Sequence, residues 1–597
     1  MHISKVKIEN FRNLKDFEIS LNKGLNVILG QNNIGKTNCV SAIRMALNYF
    51  FDPIEPINLS KEDIYKNEKG EQDFSAPIKI TLEFKDIDSI PLEAEFQNIL
   101  SNDTSVSPRT GHLTFTWSWN EANQRYTRGW HGGIGNYPID SDIFQSLPVT
   151  YLGALRDALR QVIPGKKNHL SELFDLKAKN NPNNMAELLD NIKKYNETLC
   201  ASTLINEVEK DLNKNLKKVC GEKAFKQEAF IETCEENFDQ IIKNLKVNLK
   251  GNVSDLSANG LGYNNLICIS IIIAKLCMQL ADEDNIKVPL LIIEEPEAHL
   301  HPQLQSLLAQ TLEGNCSENK KVQTIVTSHS AVLAQNVAPE SIHLMYKVNS
   351  DIKCYSLSNL QNTFKYKKLS WGKFKRFIDV TKATMFFAKG IILVEGITEA
   401  MLISKLAEDL NYNLKEHGIS IIPCGVEFNE VAELYVSEGM NIPVAIVTDS
   451  DPSIEKDSEG KVIGLKNQDK CDRVKKLINN YGNQDQLKIF TSDVTLEYDL
   501  AEVNKEDLNP IVKAWKEVHP VKGKKLEETI STETDAEEKI KMIWLEVCKS
   551  SQNSKCEFME KLISLIEENN LKIKCPLYIE NAIKHVIGDD GKEQLSK

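Results

Sequence analysis

Eight residues near the N-terminus have the types and the spacing to hold a triphosphate. Gly30-Gln31-Asn32-Asn33-Ile34-Gly35-Lys36-Thr37 runs glycine, four residues, then Gly-Lys-Thr. Glycines let backbone N–H groups curl around phosphate oxygens, so Gly30, Asn32, Asn33 and Gly35 would form a cradle for ATP. Lys36 would hold the β- and γ-phosphates, and Thr37 would ligate Mg²⁺. Further on, Leu290-Leu-Ile-Ile-Glu294-Glu295-Pro296-Glu297 ends an apolar run in acids. Glu294 there would orient the ion's water shell, and Glu295 would polarise an attacking water as general base. Thr327-Ser328-His329-Ser330 follows the next apolar run. His329 could sense the γ-phosphate; a satisfied structural histidine is the plain alternative. Leu256-Ser257-Ala-Asn-Gly260-Leu-Gly262 heads a long apolar helix whose N-terminus could offer Ser257 and free N–H groups to a phosphate. An ordinary Ser/Asn/Gly cap reads the same way.

A second set of residues is all carboxylate. Ile391-Ile-Leu-Val394-Glu395-Gly396-Ile-Thr398-Glu399 ends an apolar run in two acids, and Val444-Ala-Ile-Val447-Thr448-Asp449-Ser450-Asp451 does the same about fifty residues later. Strand ends in an open parallel sheet are where functional side chains meet. Glu395, Glu399, Asp449 and Asp451 brought together would repel and need cations. Oxygen-only ligands select Mg²⁺ or Mn²⁺, and such ions can activate water for in-line attack on phosphate.

The elements that must position these groups follow from periodicity. Ile3–Ile8 and Phe17–Leu21 alternate, Leu25–Leu29 is an apolar strand, and a helix is expected over Lys36–Tyr49. Strands are expected again at Pro77–Phe84, Leu113–Trp119, Pro289–Ile293 and Thr324–Val326. Residues from about 166 to 245 read as a helical insertion, with Lys, Asn, Glu and Leu at helical spacing. The reading divides the chain into a nucleotide-binding α/β domain over 1–345, a basic linker over 346–388, a second α/β domain over 389–505, and mostly helix over 506–597. No stretch reads as the ~20 apolar residues that span a bilayer, and Met1–Arg12 does not read as a signal peptide. The 13 cysteines form no CxxC pair, which excludes the usual structural zinc module and fits free thiols in a reducing cytoplasm. A net charge of −13 excludes a uniformly basic DNA-coating protein, though not a local basic stripe.

Taken in order, the first four motifs resemble the ABC-type ATPases of the SMC, RecF and OLD group. In that resemblance the arginine of Ile8-Glu-Asn-Phe-Arg12-Asn lies near the nucleotide, and Ser257 contacts the nucleotide of a second subunit. His299 and His301 belong to the loop after the acids and carry a structural role. One departure is Glu294, where most of the group have Asp; its extra methylene would alter the Mg²⁺ geometry and slow hydrolysis. The acidic motifs resemble the Toprim domain, a Rossmann-like fold. With Phe374-Lys-Arg-Phe-Ile-Asp379-Val-Thr-Lys382 ahead of them, the chain looks like a class 1 OLD-family endonuclease, and is also similar to the Gabija nuclease subunit. The resemblance makes Glu395, Glu399, Asp449 and Asp451 metal ligands. It adds Glu497, in Thr495-Leu-Glu497-Tyr-Asp-Leu, as a further carboxylate, against the alternative of a surface helix acid. It also calls for a late lysine near the scissile phosphate, for which Lys574 is the candidate and Lys572 and Lys584 the competitors.

Between the two motif sets, residues 361–390 carry Lys365, Lys367, Lys368, Lys373, Lys375, Arg376, Lys382 and Lys389 against Asp379, with Phe364, Tyr366, Trp371 and Phe374 interleaved. That pattern suits a DNA-tracking surface and equally a solvated linker whose aromatics pack inward. The function expected is metal-dependent DNA cleavage gated by ATP, with a bacterial anti-phage role implied by the resemblance alone. The alternative is a RecF- or SMC-like clamp with a vestigial Toprim domain. The partners implied are DNA, a second copy of the chain through the ATPase domain and the insertion, and a helicase or other defence protein, with no membrane.

Overall fold

The computed structural model describes residues 1–50, 56–101, 109–120, 124–133, 141–153, 169–220, 228–231, 260–280, 288–318, 322–366, 370–425, 428–436, 439–456, 462–466, 469–548, 552–569 and 573–588, with a few isolated positions between them. The chain opens with β1 (His2–Phe11), β2 (Leu14–Ser20) and β3 (Leu25–Gly30). β1 and β2 join β4 (Ile78–Ile87), β5 (Arg109–Asn120), β6 (Arg125–Gly132) and β7 (Tyr137–Pro138) in an antiparallel sheet of order β2-β1-β4-β5-β6-β7. β3 enters a second sheet with β8 (Val149–Leu152), β9 (Leu290–Glu294), β10 (Gln323–Ser328), β11 (Ile342–Val348) and β12 (Asp351–Ser356), ordered β12-β11-β3-β10-β9-β8. All its pairs are parallel except β11 with β12. A third sheet, wholly parallel, holds β13 (Gly390–Val394), β14 (Ile419–Pro423), β15 (Val444–Thr448) and β18 (Leu487–Thr491) in the order β14-β13-β15-β18. β16 (Ile454–Lys456) and β17 (Val462–Leu465) form a hairpin beside it.

Period-two alternation ties the second and third sheets together. Leu25, Val27 and Leu29 of β3, and Leu291 and Ile293 of β9, point into one core; Ile391 and Leu393 of β13, and Val444 and Ile446 of β15, point into the same core from the other side. The opposite faces pack elsewhere. Ile28, Leu290 and Ile292 lie against the antiparallel sheet, and Ile392, Val394, Ala445 and Val447 lie against the C-terminal helices.

The stretch expected as a basic linker over 346–388 is folded into this core, and the reading in which its aromatics pack into a junction fits the burial of Phe364 and Phe374. β11 and β12 complete the nucleotide-domain sheet, so that sheet continues past the boundary expected at 345 to Ser356. The helices Ser358–Tyr366 and Trp371–Phe377 and the turn of helix Lys382–Phe387 then fill the junction. Phe364 and Phe374 are at most 1% exposed, and the Trp371 indole donates to Glu340 at 2.7 Å. Phe364 and Phe374 therefore have no ring face open for a base to stack on. Burying a phenylalanine ring releases far more free energy than exposing it to a mobile partner. The cations stay outside, with Lys373, Lys375 and Arg376 exposed and Lys382 paired to Asp379 at 2.7 Å. Lys367 and Lys368 fall outside the described residues. Phe374→Ala should cost roughly 3–5 kcal/mol of stability, whereas exposed Lys375→Ala should stay within about 0.5 kcal/mol. Urea unfolding of the two variants checks this.

Two other expectations change. The helix after the glycine loop runs Lys36–Ala46, not to Tyr49, because Asn48 takes a left-handed conformation at φ 57° and turns the chain away. The helix Leu261–Leu280 is long and apolar enough, by length and composition, to cross a bilayer, where the sequence pattern led us to expect no such stretch. One face of it packs into the core: Cys268, Ile269, Ile272 and Leu276 are at most 2% exposed, and its Lys275 pairs with Glu172 at 2.7 Å. Within the insertion, His169–Asn180, Pro182–Cys200 and Thr203–Cys220 are helical, whereas residues 228–231 are neither helix nor strand.

Candidate functional site

The glycine loop lines a cavity of about 770 Å³ together with Arg12, Asn13, Glu62, Glu295 and His329. β3 is buried along its whole length and delivers the loop to the sheet's edge, where the helix Lys36–Ala46 begins. Two glycines are required there. A Cβ on Gly30 would sit 2.7 Å from the Met345 carbonyl oxygen, and Gly35 holds φ 104° with Asn13 Oδ1 2.7 Å from where its Cβ would be. Lys36 folds back onto its own loop, donating to the carbonyls of Gly30 at 2.9 Å and Gln31 at 3.0 Å, with His329 Nδ1 at 3.4 Å. Burial lowers its pKa to about 8, against the opposing pull of Glu295, Glu297 and Glu294.

The acids behind the loop divide their work. Glu294 accepts from Thr37 Oγ1 at 2.8 Å and from the Tyr151 hydroxyl at 3.0 Å, so the longer side chain is held at both oxygens. Glu295 faces the cavity from a left-handed backbone at φ 46°, with its carboxylate 3.6 Å from His329 Nε2. Glu297 is the clamp: its Oε1 accepts from Ser328 Oγ at 2.8 Å and from the His329 amide at 2.7 Å. Arg12 borders the cavity with its guanidinium held by Asp63 at 2.8 Å and Asn38 at 2.8 Å. Asn32 and Asn33 line the same wall. Phosphates favour a charged ammonium, so bound ATP would raise the Lys36 pKa above its free value. ATP affinity should therefore fall as pH rises through about 8, with proton uptake on binding above that pH. Calorimetric titration in buffers of different ionisation enthalpy measures both.

The carboxylates meet at the C-terminal ends of β13 and β15. Glu395 Oε1 accepts from the Asp449 amide at 3.2 Å, from Thr448 Oγ1 and from Arg473 Nη2 at 2.8 Å. The same Arg473 nitrogen reaches Asp451 Oδ2 at 2.9 Å. Glu399 caps its own helix (Ile397–Asp409) by accepting from the Gly396 amide at 2.9 Å. Glu497, at the start of the helix Leu496–Val503, is 6% exposed and pairs with Lys555 at 3.1 Å, while its Oε2 is buried without a hydrogen-bond partner among the described residues. Crowding shows in the titration. Burial and then Glu497, Glu395, Asp451 and Glu399 push the Asp449 carboxyl well above its usual range. Burial, with the neighbouring acids Glu395 and Glu497, also raises Glu399. Asp499 is the turn clamp of this region, accepting from the amides of Asp493 at 2.7 Å and Val494 at 3.2 Å.

The oxygen-only donor set and the orphaned Glu497 Oε2 fit a hard divalent cation. Among the described residues no three His, Cys, Asp or Glu side chains close around a common point. Two of the acids, Glu395 and Asp451, share the Arg473 guanidinium, which supplies positive charge between them.

A family model described as an AAA ATPase domain matches residues 1–199 and 154–334. The chain belongs to that AAA ATPase family. A second model, the TOPRIM domain of overcoming lysogenization defect (OLD) protein-like chains, matches residues 386–451. The AAA ATPase is thus joined to an OLD-like Toprim domain. An OLD nuclease of Thermus scotoductus is 23% identical over 474 residues, covering 75% of this chain and 82% of that protein. Endonuclease GajA of Bacillus cereus is 23% identical over 581 residues, covering 88% and 94%. Among solved structures, the C-terminal region of the Burkholderia pseudomallei OLD protein is 24% identical at a TM-score of 0.22, spanning 34% of this chain and 97% of that one. The two domains and the nuclease relatives make this AAA ATPase–Toprim chain an enzyme of the endonuclease class.

Within the ATPase domain the structure gathers Asn32, Asn33, Gly35, Lys36, Thr37, Arg12, Glu295 and His329 about one cavity, with Gly30 accepting from Lys36 behind it and Glu294 bonded to Thr37. Ser257 lies outside the described residues. Gly262 is pressed against the loop after the acids, where a Cβ would meet the His299 carbonyl oxygen at 2.5 Å, and Asn265 donates to the Ala298 carbonyl at 3.2 Å. In the Toprim domain Glu497 is no surface acid. Lys574 does not reach the carboxylates: its ammonium is exposed and pairs with Glu506 at 2.7 Å. Lys584 pairs with Glu580 at 2.5 Å, and Lys572 lies outside the described residues. Three residues carry no signal in the sequence: Tyr151, Arg473 and Lys555. Each stands on a different element from the motif it serves, and no local spacing marks it.

Proposed function

We propose that the chain is a metal-dependent DNA endonuclease whose cutting is governed by ATP at the N-terminal site. The observation that carries the reading is that Glu395 and Asp449 stand at the ends of neighbouring parallel strands, with Asp451, Glu399 and Glu497 near enough to act on Asp449, and with one buried Glu497 oxygen lacking a hydrogen-bond partner among the described residues. Divalent ions bound there would activate water and neutralise charge on the scissile phosphate. Glu395 and Asp449 are held in register by the Thr448–Asp449 turn, so the pair is preorganised. Lys555, already on Glu497, is placed to meet a phosphate oxygen; Lys574 would serve only by leaving Glu506.

Control by ATP is supported by the joint between the domains. Gln31, inside the glycine loop, donates from Nε2 to the Phe387 carbonyl at 2.9 Å, three residues before β13. The turn Lys382–Phe387 packs against β3, against the helix Ala331–Asn336 that follows His329, and against β14. A shift at the γ-phosphate therefore has a packed route to the strand that ends in Glu395. Pairing of two copies is supported by Leu204, Val208 and Leu212, exposed at four-residue spacing on one insertion helix, with Leu188, Leu189 and Tyr195 exposed on its neighbour. A cytoplasmic, anti-phage role completes the reading.

The deciding experiment incubates supercoiled plasmid with Mg²⁺ or Mn²⁺, with and without ATP. The second reading, an ATP-driven DNA clamp, draws on the closure of Glu395 and Asp451 over Arg473. It requires that no divalent ion at any concentration supports cutting by the wild type.

A further inference from the structure

We propose that Arg473 is an internal counter-cation of the Toprim site, holding it closed until a divalent ion displaces the guanidinium. The inference rests on the metal reading of the same site. Arg473 stands on the helix Asp472–Tyr481, outside both acidic motifs, and its Nη2 alone bridges two carboxylates, Glu395 at 2.8 Å and Asp451 at 2.9 Å. Those are the acids from the ends of the two central strands, the pair an ion would have to span.

Two features separate this bridge from a finished structural ion pair. A structural arginine commonly pairs side-on, each of two nitrogens meeting one carboxylate oxygen. Here one nitrogen serves two different acids, and the neighbouring Nη1 is buried with no hydrogen-bond partner among the described residues. Glu497 Oε2, in the same cluster, is also buried and unsatisfied. Two orphaned polar groups of opposite character beside one bridge leave a closed form that holds charge balance but not full hydrogen bonding. A divalent ion would take over the charge balance and occupy the Glu497 oxygen. Arg473 would then leave towards the rim, where its side chain is already 29% exposed. Lys555, another cation beside the acids, pairs with Glu497 Oε1 at 3.1 Å and also bears on Asp451, whereas Arg473 is hydrogen-bonded to both Glu395 and Asp451.

The competition has a sign that a supporting residue would not show. If the closed form holds about nine-tenths of the metal-free molecules, apparent affinity is reduced about tenfold, and removing the arginine restores it. Mn²⁺ binding to the full chain is measured by calorimetry or by electron paramagnetic resonance of the free ion. Arg473→Gln should tighten binding about tenfold, and Arg473→Lys, which keeps charge without the planar fork, should fall between variant and wild type. Melting is followed in parallel. In chelator the Gln variant should melt below wild type, having lost the counter-charge, and in saturating Mn²⁺ the gap should close. Equal or weaker Mn²⁺ binding by a folded Arg473→Gln, with Mn²⁺ bound normally by wild type, overturns the counter-cation role alone; a supporting residue would weaken binding by roughly 10–100-fold. No Mn²⁺ binding by wild type or either variant overturns both this role and the metal reading beneath it. Should the Gln variant not fold, a Lys variant that binds Mn²⁺ no tighter than wild type overturns the counter-cation role equally.

Discussion

Glu395→Ala should lose DNA cleavage by at least about 10³-fold in Mg²⁺ or Mn²⁺, with ATP hydrolysis retained. An ion in such a site supplies several kcal/mol of transition-state stabilisation, and each 1.36 kcal/mol is tenfold in rate, so about three decades is the conservative figure. The structure also isolates the effect. Glu395 is 23% exposed at its side chain, and among the described residues its carboxylate accepts from Thr448, Asp449 and Arg473, all in the C-terminal half of the chain. The ATP cavity is lined by none of these residues. Plasmid nicking and phosphate release, measured on one preparation, test both halves. Cutting at the wild-type rate by Glu395→Ala would place the chemistry elsewhere in the molecule.

Lys36→Ala should reduce ATP hydrolysis at least about 100-fold, because the positive charge facing the transferred phosphate is among the larger electrostatic contributions of such a site. Metal-dependent cutting should survive in it while its response to ATP disappears. Lys36 is 6% exposed and lies near Glu294, Glu295 and Glu297, so its loss leaves a local excess of negative charge. A melting measurement should accompany the kinetics, since a fall in melting temperature is expected on that account alone. Wild-type hydrolysis by the variant would mean that the cavity beside His329 does not hold the triphosphate.

The two active centres differ in how far they can be read from residue order. The ATP site is local. Strand, loop and helix are consecutive, so Gly30 to Thr37 carry their own geometry, and Glu294 and His329 end strands that neighbour one another in the sheet. The acids of β13 and β15 are legible for the same reason: a parallel pair brings strand ends together. What stays hidden comes from distant elements. Arg473 sits in a helix whose Arg-Val-Lys-Lys looks like any solvated face, and Lys555 sits in another helix, Gln552–Asn569. The basic, aromatic run after Ser358 misleads for a complementary reason. Charge and ring alternate in it, but only the three-dimensional packing decides that Phe364 and Phe374 go inward while Lys373 and Lys375 stay in water. Composition alone cannot distinguish those two fates.

The common core beneath β3 and β13 has an evolutionary corollary. Beads on a string can be cut, swapped and re-threaded; these two halves cannot. A Toprim fragment begun at Gly390 would bare Ile391, Leu393, Val444 and Ile446 to water, a greasy face with strong reason to aggregate. In this chain, separating the halves at that seam calls for polar replacements on both exposed faces before either piece can stand in water.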